Sequence, residues 1–151
     1  MNTCFDVANY FLKSQDLEAG DTMSNMKLQK LVYYAQGFCL AMTGKPLFLE
    51  PIEAWDHGPV CVPLYHKYKE YSGDALPIPF DADAYSVFTK EVYDILDMVH
   101  TYYAQFAAWK LRNLTHEEIP WIKAFRRKNP EISHESMKDY FKTQLTDEDE
   151  D

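Results

Sequence analysis

The sequence predicts a mainly α protein: a single compact domain of six to seven helices around a central buried helix at about residues 24–43, with a Pro-rich loop or short β-hairpin inserted at about 45–62. Three observations predict it. The stretch Ser24 to Gly44, SNMKLQKLVYYAQGFCLAMTG, is apolar on almost every side. Leu28, Leu31, Val32, Ala35, Cys39 and Met42 recur at i, i+3, i+4, i+7, i+11 and i+14, while Tyr33, Tyr34, Gly37, Phe38, Leu40 and Ala41 cover most of the rest. A helix apolar nearly all round belongs in the middle of a domain. Other stretches repeat apolar residues at helical spacing, and the segment KPLFLEPIEAWDHGPVCVP holds four prolines and one four-residue run, Ile52 to Trp55, able to pair as a strand.

Each element has its own local signals. Thr3 to Asp6 is a capping-box-like start, followed by Cys4, Val7, Ala8 and Phe11, which gives a first helix from about residue 4 to 14. Residues 17–23 connect it to the central helix. There Ser24 caps the start, Gly44 suits a left-handed C-terminal residue and Pro46 blocks continuation. The central helix spans roughly 30 Å, but Lys27, Gln29, Lys30 and Gln36 interrupt it, so it is too polar to cross a membrane.

Pro63 opens a third helix as its first residue, with Leu64, Tyr68 and Tyr71 as its stripe and Gly73 as its end. After a Pro-rich connection at 74–84, a long helix runs from about Ser86 to Tyr103 and a shorter one from about Phe106 to Asn113. Thr115-His-Glu-Glu118 reads as a second capping box, opening a helix that buries Trp121, Ala124 and Phe125 until Asn129-Pro130 stops it. Ser133 caps the last helix, with Ile132 and Met137 at hydrophobic-staple spacing.

At 151 residues the chain is expected to be one domain, residues 1–145, with an acidic disordered tail at 146–151. The formal net charge is −9, and five acids lie at Asp147 to Asp151; without them 19 acids face 15 bases. A mildly acidic body argues against unassisted nucleic-acid binding and suits a basic protein partner. Cys4, Cys39 and Cys61 are odd in number and form no disulfide framework, and MNTCFDVANYF is no signal peptide. The expected setting is the cytoplasm.

Candidate chemistry is sparse. The chain has no Gly-rich phosphate loop and no nucleophile elbow, so no catalytic residue and no cofactor are expected. His57, Cys61 and His66 match no common zinc spacing. The segment Trp55, Asp56, His57, Gly58, Pro59 and Val60 has two readings: a turn set by Asp56 and Gly58-Pro59 with His57 bonded to backbone, or a binding loop. His116 reads as a helix-start residue. Lys27, Lys30 and Tyr34 share one face of the central helix, either as a solvated stripe or as a strip that contacts a partner.

The block KLQKLVYYAQGFCLAMTGKPLFLEPIEAWDHGPV (27–60), then Pro63-Leu64-Tyr65, then LTHEEIPWIKAF (114–125), resembles the SocA-like antitoxin or Panacea domain, first noted in phage-associated proteins. The resemblance covers nearly the whole chain in order. It implies an antitoxin that neutralises a cognate protein toxin, encoded by the adjacent gene, through direct binding. One branch of the family delivers its toxin to a ClpXP-type protease, which makes a proteolytic adaptor the alternative. Family members with extra DNA-binding domains exist, and no such segment is evident here. Nucleic acid and membrane are therefore not expected partners, and a homo-oligomer stays open. The candidate toxin surface joins Lys27, Lys30 and Tyr34 to the loop Trp55–Val60. An enzyme using His57, His66 or His116 and a winged-helix-like DNA binder are the remaining, weaker expectations.

Overall fold

The structure, a computed structural model, describes residues 1–145; the acidic tail expected at 146–151 lies outside them. The described residues form α1 (Cys4–Lys13), α2 (Asn25–Thr43), β1 (Ile52–Trp55), β2 (Gly58–Cys61), α3 (Val62–Tyr68), a 3-10 turn (Lys69–Tyr71), α4 (Lys90–Tyr103), α5 (Ala108–His116), α6 (Ile119–Ala124) and α7 (His134–Lys142). α2 is the axis: α1, α3, α4, α5, α7 and β2 all pack on it. Its residues 28–40 are buried without exception.

The helix caps follow local chemistry. Thr3 and Asp6 exchange side-chain and backbone hydrogen bonds at the start of α1. The Ser24 hydroxyl accepts from Lys27 N at 3.2 Å, and Gly44 closes α2 at φ +78°. Ser133 caps α7, with Ile132 and Met137 both buried beside it. Gly37 is where α7 meets α2: a Cβ there would stand 2.2 Å from the Phe141 ring.

The buried polar residues of α2 hold the non-helical chain. Gln36 donates to Phe48 O and accepts from Leu47 N, both at 2.7 Å. Gln29 Oε1 accepts from Cys61 N at 2.8 Å and Lys30 Nζ donates to Pro59 O at 3.2 Å. The hairpin pairs Ile52 with Cys61 and Trp55 with Gly58. Its outer edges are therefore both occupied, β2 by α2 side chains and β1 by residues 130–132, where Ala54 N meets Pro130 O and Ile132 N meets Ile52 O. Pro59 fits in β2 because it lies opposite Ala54, whose own N–H points away from β2 to Pro130.

Several boundaries differ from the sequence expectation. α4 begins at Lys90, capped by Thr89, and not at Ser86. The Asp83 carboxylate accepts from Tyr85 N, Ser86 N and the Ser86 hydroxyl, and that local turn competes with helix. α3 starts one residue before Pro63 and stops at Tyr68; the chain then reverses at Ser72, φ +50°, before Gly73. α5 runs on to His116 because the Thr115-Glu118 capping box does not form. The Thr115 hydroxyl donates back to Arg112 O within α5, and no side chain caps α6. His116 accordingly ends a helix where the sequence suggested that it starts one.

The three thiols are free and buried. Cys4 and Cys61, far apart in sequence, meet in the core: a hydrogen bond to Cys61 and then burial push the Cys4 thiol far above its ordinary pKa.

Substituting Gly37 tests the α2–α7 contact. Gly37→Ala gains about 0.5–1 kcal/mol of helix propensity. Overpacking against Phe141 costs about 1–3 kcal/mol and is expected to dominate. Urea denaturation should show net destabilisation in Gly37→Ala, partly relieved in the double variant with Phe141→Leu.

Candidate functional site

The site is built around Lys30. α2 places it under the hairpin tip, 1% exposed. Gly58 lets the tip close down on it: φ is +110°, and a Cβ would lie 2.6 Å from Lys30 Cε and 2.8 Å from Thr115 Oγ1. Lys30 Nζ has the Pro59 carbonyl as its hydrogen-bond partner. Among the described residues the ion pair within 4 Å is Lys90–Asp94, so no described carboxylate neutralises Lys30. Burial first, and then the Arg112 charge, push its pKa down to about 7.

Lys30 lines a cavity of about 760 Å³. The hairpin contributes Trp55, Asp56, His57 and Val60, and α3 with its 3-10 turn contributes Tyr65, Lys69 and Ser72. The chain after α6 contributes Phe125, Arg126 and Arg127. Trp55 stands edge-on to Tyr65 at 4.9 Å between ring centres. His116, Trp121 and Phe125 form a stack with spacings of 4.0 and 4.3 Å, and the Arg126 guanidinium continues it over Phe125 at 5.1 Å. Trp121 anchors the stack by donating its indole N–H to Trp55 O at 2.8 Å. Against one acid, Asp56, the wall carries Lys30, Lys69, Arg126 and Arg127, in a chain whose net charge is −9.

Beside the cavity mouth, α5 presents an exposed cluster. Trp109 is 58% exposed, with the Arg112 guanidinium over its ring at 4.9 Å. Arg112 Nε donates to His57 Nδ1 at 3.2 Å, and the His57 ring meets Trp109 edge-on. His57 thus has a side-chain partner, in place of the backbone partner that the turn reading of this segment gave it.

The expected polar strip does not exist as a surface. Tyr34 is fully buried; its hydroxyl donates to Glu118 Oε2 at 2.9 Å, and its ring stacks on Tyr103. Lys27 is half-buried and donates to Ala104 O at the end of α4, a carbonyl-rich helix terminus that favours a cation. Helical spacing identified one face correctly, but the hairpin and α4–α6 cover it. Of the loop residues, Asp56 and His57 are exposed, Trp55 is half-buried, and Gly58, Pro59 and Val60 are buried. The structure does bring Lys30 and the 55–60 loop to one cavity, which leaves Lys27 and Tyr34 apart from it.

Sequence reasoning missed Trp109, Arg112, Arg126, Arg127 and Glu118. The run Arg126-Arg127-Lys128 was the available signal, since no denser basic stretch occurs in the chain. Among the described residues no group of three or more His, Cys, Asp or Glu is placed to hold a metal; Cys61 is in the core and His57 at the surface. No described helix is long and apolar enough to cross a membrane.

Glu118 locks this region to α2. Its two oxygens accept from Tyr33 and Tyr34 at 3.0 and 2.9 Å. Burial raises its pKa to about 7 even though both tyrosine bonds oppose the rise.

The family model described as "Antitoxin SocA-like, Panacea domain" matches residues 28–122, well over half of the chain, and the protein belongs to that family. Membership assigns it a toxin–antitoxin type of role. The matched segment contains Lys30, the hairpin, Trp109, Arg112 and Glu118, while Arg126 and Arg127 lie beyond it. No curated protein and no solved structure matches the chain.

Two substitutions test this geometry. Folded Glu118 holds its proton more tightly than unfolded Glu, so its contribution to stability is full below pH 4.5 and falls as pH rises toward about 7. The loss amounts to about 3 kcal/mol. Glu118→Gln should remove that component of the slope when urea stability is compared at several pH values between 4.5 and 7. Gly58→Ala meets both a left-handed backbone and Lys30, and should lower stability by about 2 kcal/mol or more in the same assay.

Proposed function

We propose that this chain is the antitoxin of a toxin–antitoxin pair and neutralises a protein toxin, encoded by the adjacent gene, by binding it directly and without catalysis. The family supports the general role. The feature that carries direct binding is the cluster of Trp109, Arg112 and His57, contiguous with the hairpin tip. A large aromatic ring left in solvent costs hydration free energy, and this one is held in place by a guanidinium that is itself bonded to His57. Tryptophan and arginine dominate the energetic centres of protein interfaces. The binding surface therefore centres on α5 and the tip residues Trp55, Asp56 and His57, with Gly58, Pro59 and Val60 shaping the tip from beneath.

The test is co-purification of the tagged chain with the adjacent gene product, beside a growth assay in which that product is induced with and without the chain. A stable complex with growth rescue is expected. Rescue without a complex would favour delivery to a ClpXP-type protease, and would then fail in a protease-null host. Given a complex, Trp109→Ala and Arg112→Ala should each weaken it by about 30-fold, measured by titration calorimetry, with thermal stability retained. Unchanged affinity in both would overturn the assignment of this surface.

A further inference from the structure

We propose that the cavity walled by Lys30, Trp55, Tyr65, Phe125, Arg126 and Arg127 is a binding site for a small ligand that carries an oxyanion, phosphate or carboxylate, on a planar ring. The inference stands apart from toxin binding and concerns the isolated chain.

Lys30 is the starting point. Burying a cation without a counter-charge is unfavourable, and one hydrogen bond to a carbonyl offsets only part of that cost. If the side chain served only to hold the Pro59 carbonyl, a neutral amide of the kind used at Gln29 and Gln36 would do so more cheaply. Both neighbours of that type already hold loop backbone from the same helix. A lysine that lines the cavity with no carboxylate beside it is explained by an anion that enters from outside and supplies the missing counter-charge. The rim matches this: Lys69, Arg126 and Arg127 converge on the same space from two other parts of the chain.

The backbone supplies a second line of argument. Among the described residues two non-glycine residues have positive φ, Ser72 at +50° and Arg126 at +66°, and both line this cavity. Such conformations are strained and collect at ligand sites. At Arg126 the strained backbone lays the guanidinium across Phe125, at the end of the His116–Trp121–Phe125 stack. Phe125 with Arg126, and the edge-on pair Trp55 and Tyr65, therefore all line one space of about 760 Å³. Small-molecule pockets run about 300–1,000 Å³ and combine aromatic walls with a few convergent charges.

Isothermal titration of the full chain with four probes tests the proposal: adenosine 5′-monophosphate, adenosine, inorganic phosphate and indole-3-carboxylate. The expected result is saturable binding of the monophosphate or the indole carboxylate with Kd below about 1 mM, and the preferred probe identifies the oxyanion. Adenosine should bind at least about tenfold more weakly than its monophosphate, because it lacks the charge. Arg127→Glu, at an exposed rim position, should weaken binding about tenfold or more in a protein of unchanged thermal stability, and Arg126→Gly, which relieves the backbone while deleting the guanidinium, should weaken it as much in a protein whose thermal stability is kept or raised. Lys30→Met should abolish binding, and the two rim variants keep the test decisive if that variant does not fold. Absence of saturable binding for both ring oxyanions overturns the proposal, as does unchanged affinity in both rim variants. Inorganic phosphate binding as tightly as the monophosphate overturns the ring component.

Discussion

The structure depends on polar side chains of one buried helix that satisfy backbone groups left open by the rest of the chain. Gln29 and Lys30 reach from α2 to the outer edge of β2, and Gln36 reaches the irregular backbone at 47–48. Leaving those buried backbone groups unmet would cost about 1–3 kcal/mol apiece. Gln15 does the same for the connections on the other side, bonding Leu76 O and Met23 N. A two-stranded hairpin is marginal on its own. Here it is held on one edge by α2 and on the other by residues 130–132, so it behaves as part of the helical core.

That arrangement explains the electrostatics. A hairpin clamped over a lysine, with bases arriving from two other loops, concentrates positive charge in one concavity of an acidic chain. The exposed tryptophan–arginine–histidine cluster shares His57 with that concavity. The protein surface proposed for a toxin and the cavity proposed for a small anion are therefore joined through the tip side chains Trp55, Asp56 and His57. Occupancy of the cavity would alter the charge seen by a partner at the tip.

What was legible in the sequence was local. Ser24, Gly44 and the Thr3–Asp6 box mark helix ends through bonds between near neighbours, and these ends fall where expected. The Thr115–Glu118 pattern failed because a long-range contact outweighed a local one. An N-cap is worth about 1 kcal/mol. Two hydrogen bonds from Tyr33 and Tyr34 to a buried carboxylate are worth more. Lys30 looked like a surface residue because helical periodicity reports which residues share a face and not what covers it. The cover, Gly58-Pro59, comes nearly thirty residues later and is recognisable only once a Cβ is seen not to fit. The cavity was missed for a related reason: its wall combines α2, α3, the hairpin and the post-α6 chain, and no single window contains them.

The hydrogen bonds from α2 also divide the chain by how it can change length. Adding one residue within α2 turns everything beyond it by about 100° and detaches the hairpin and the 47–48 backbone together. The connection between Ser72 and Thr89 is different. Its backbone is tied to the rest at Leu76 and, near its end, at Val87, and Asp83 organises a turn of its own. Between Leu76 and Asp83 the chain runs over the surface, with Phe80 in solvent. Insertions and deletions in a lineage of such proteins would accumulate there, opposite in character to the α2–hairpin block, whose spacing in residues is set by hydrogen bonds that admit no slack.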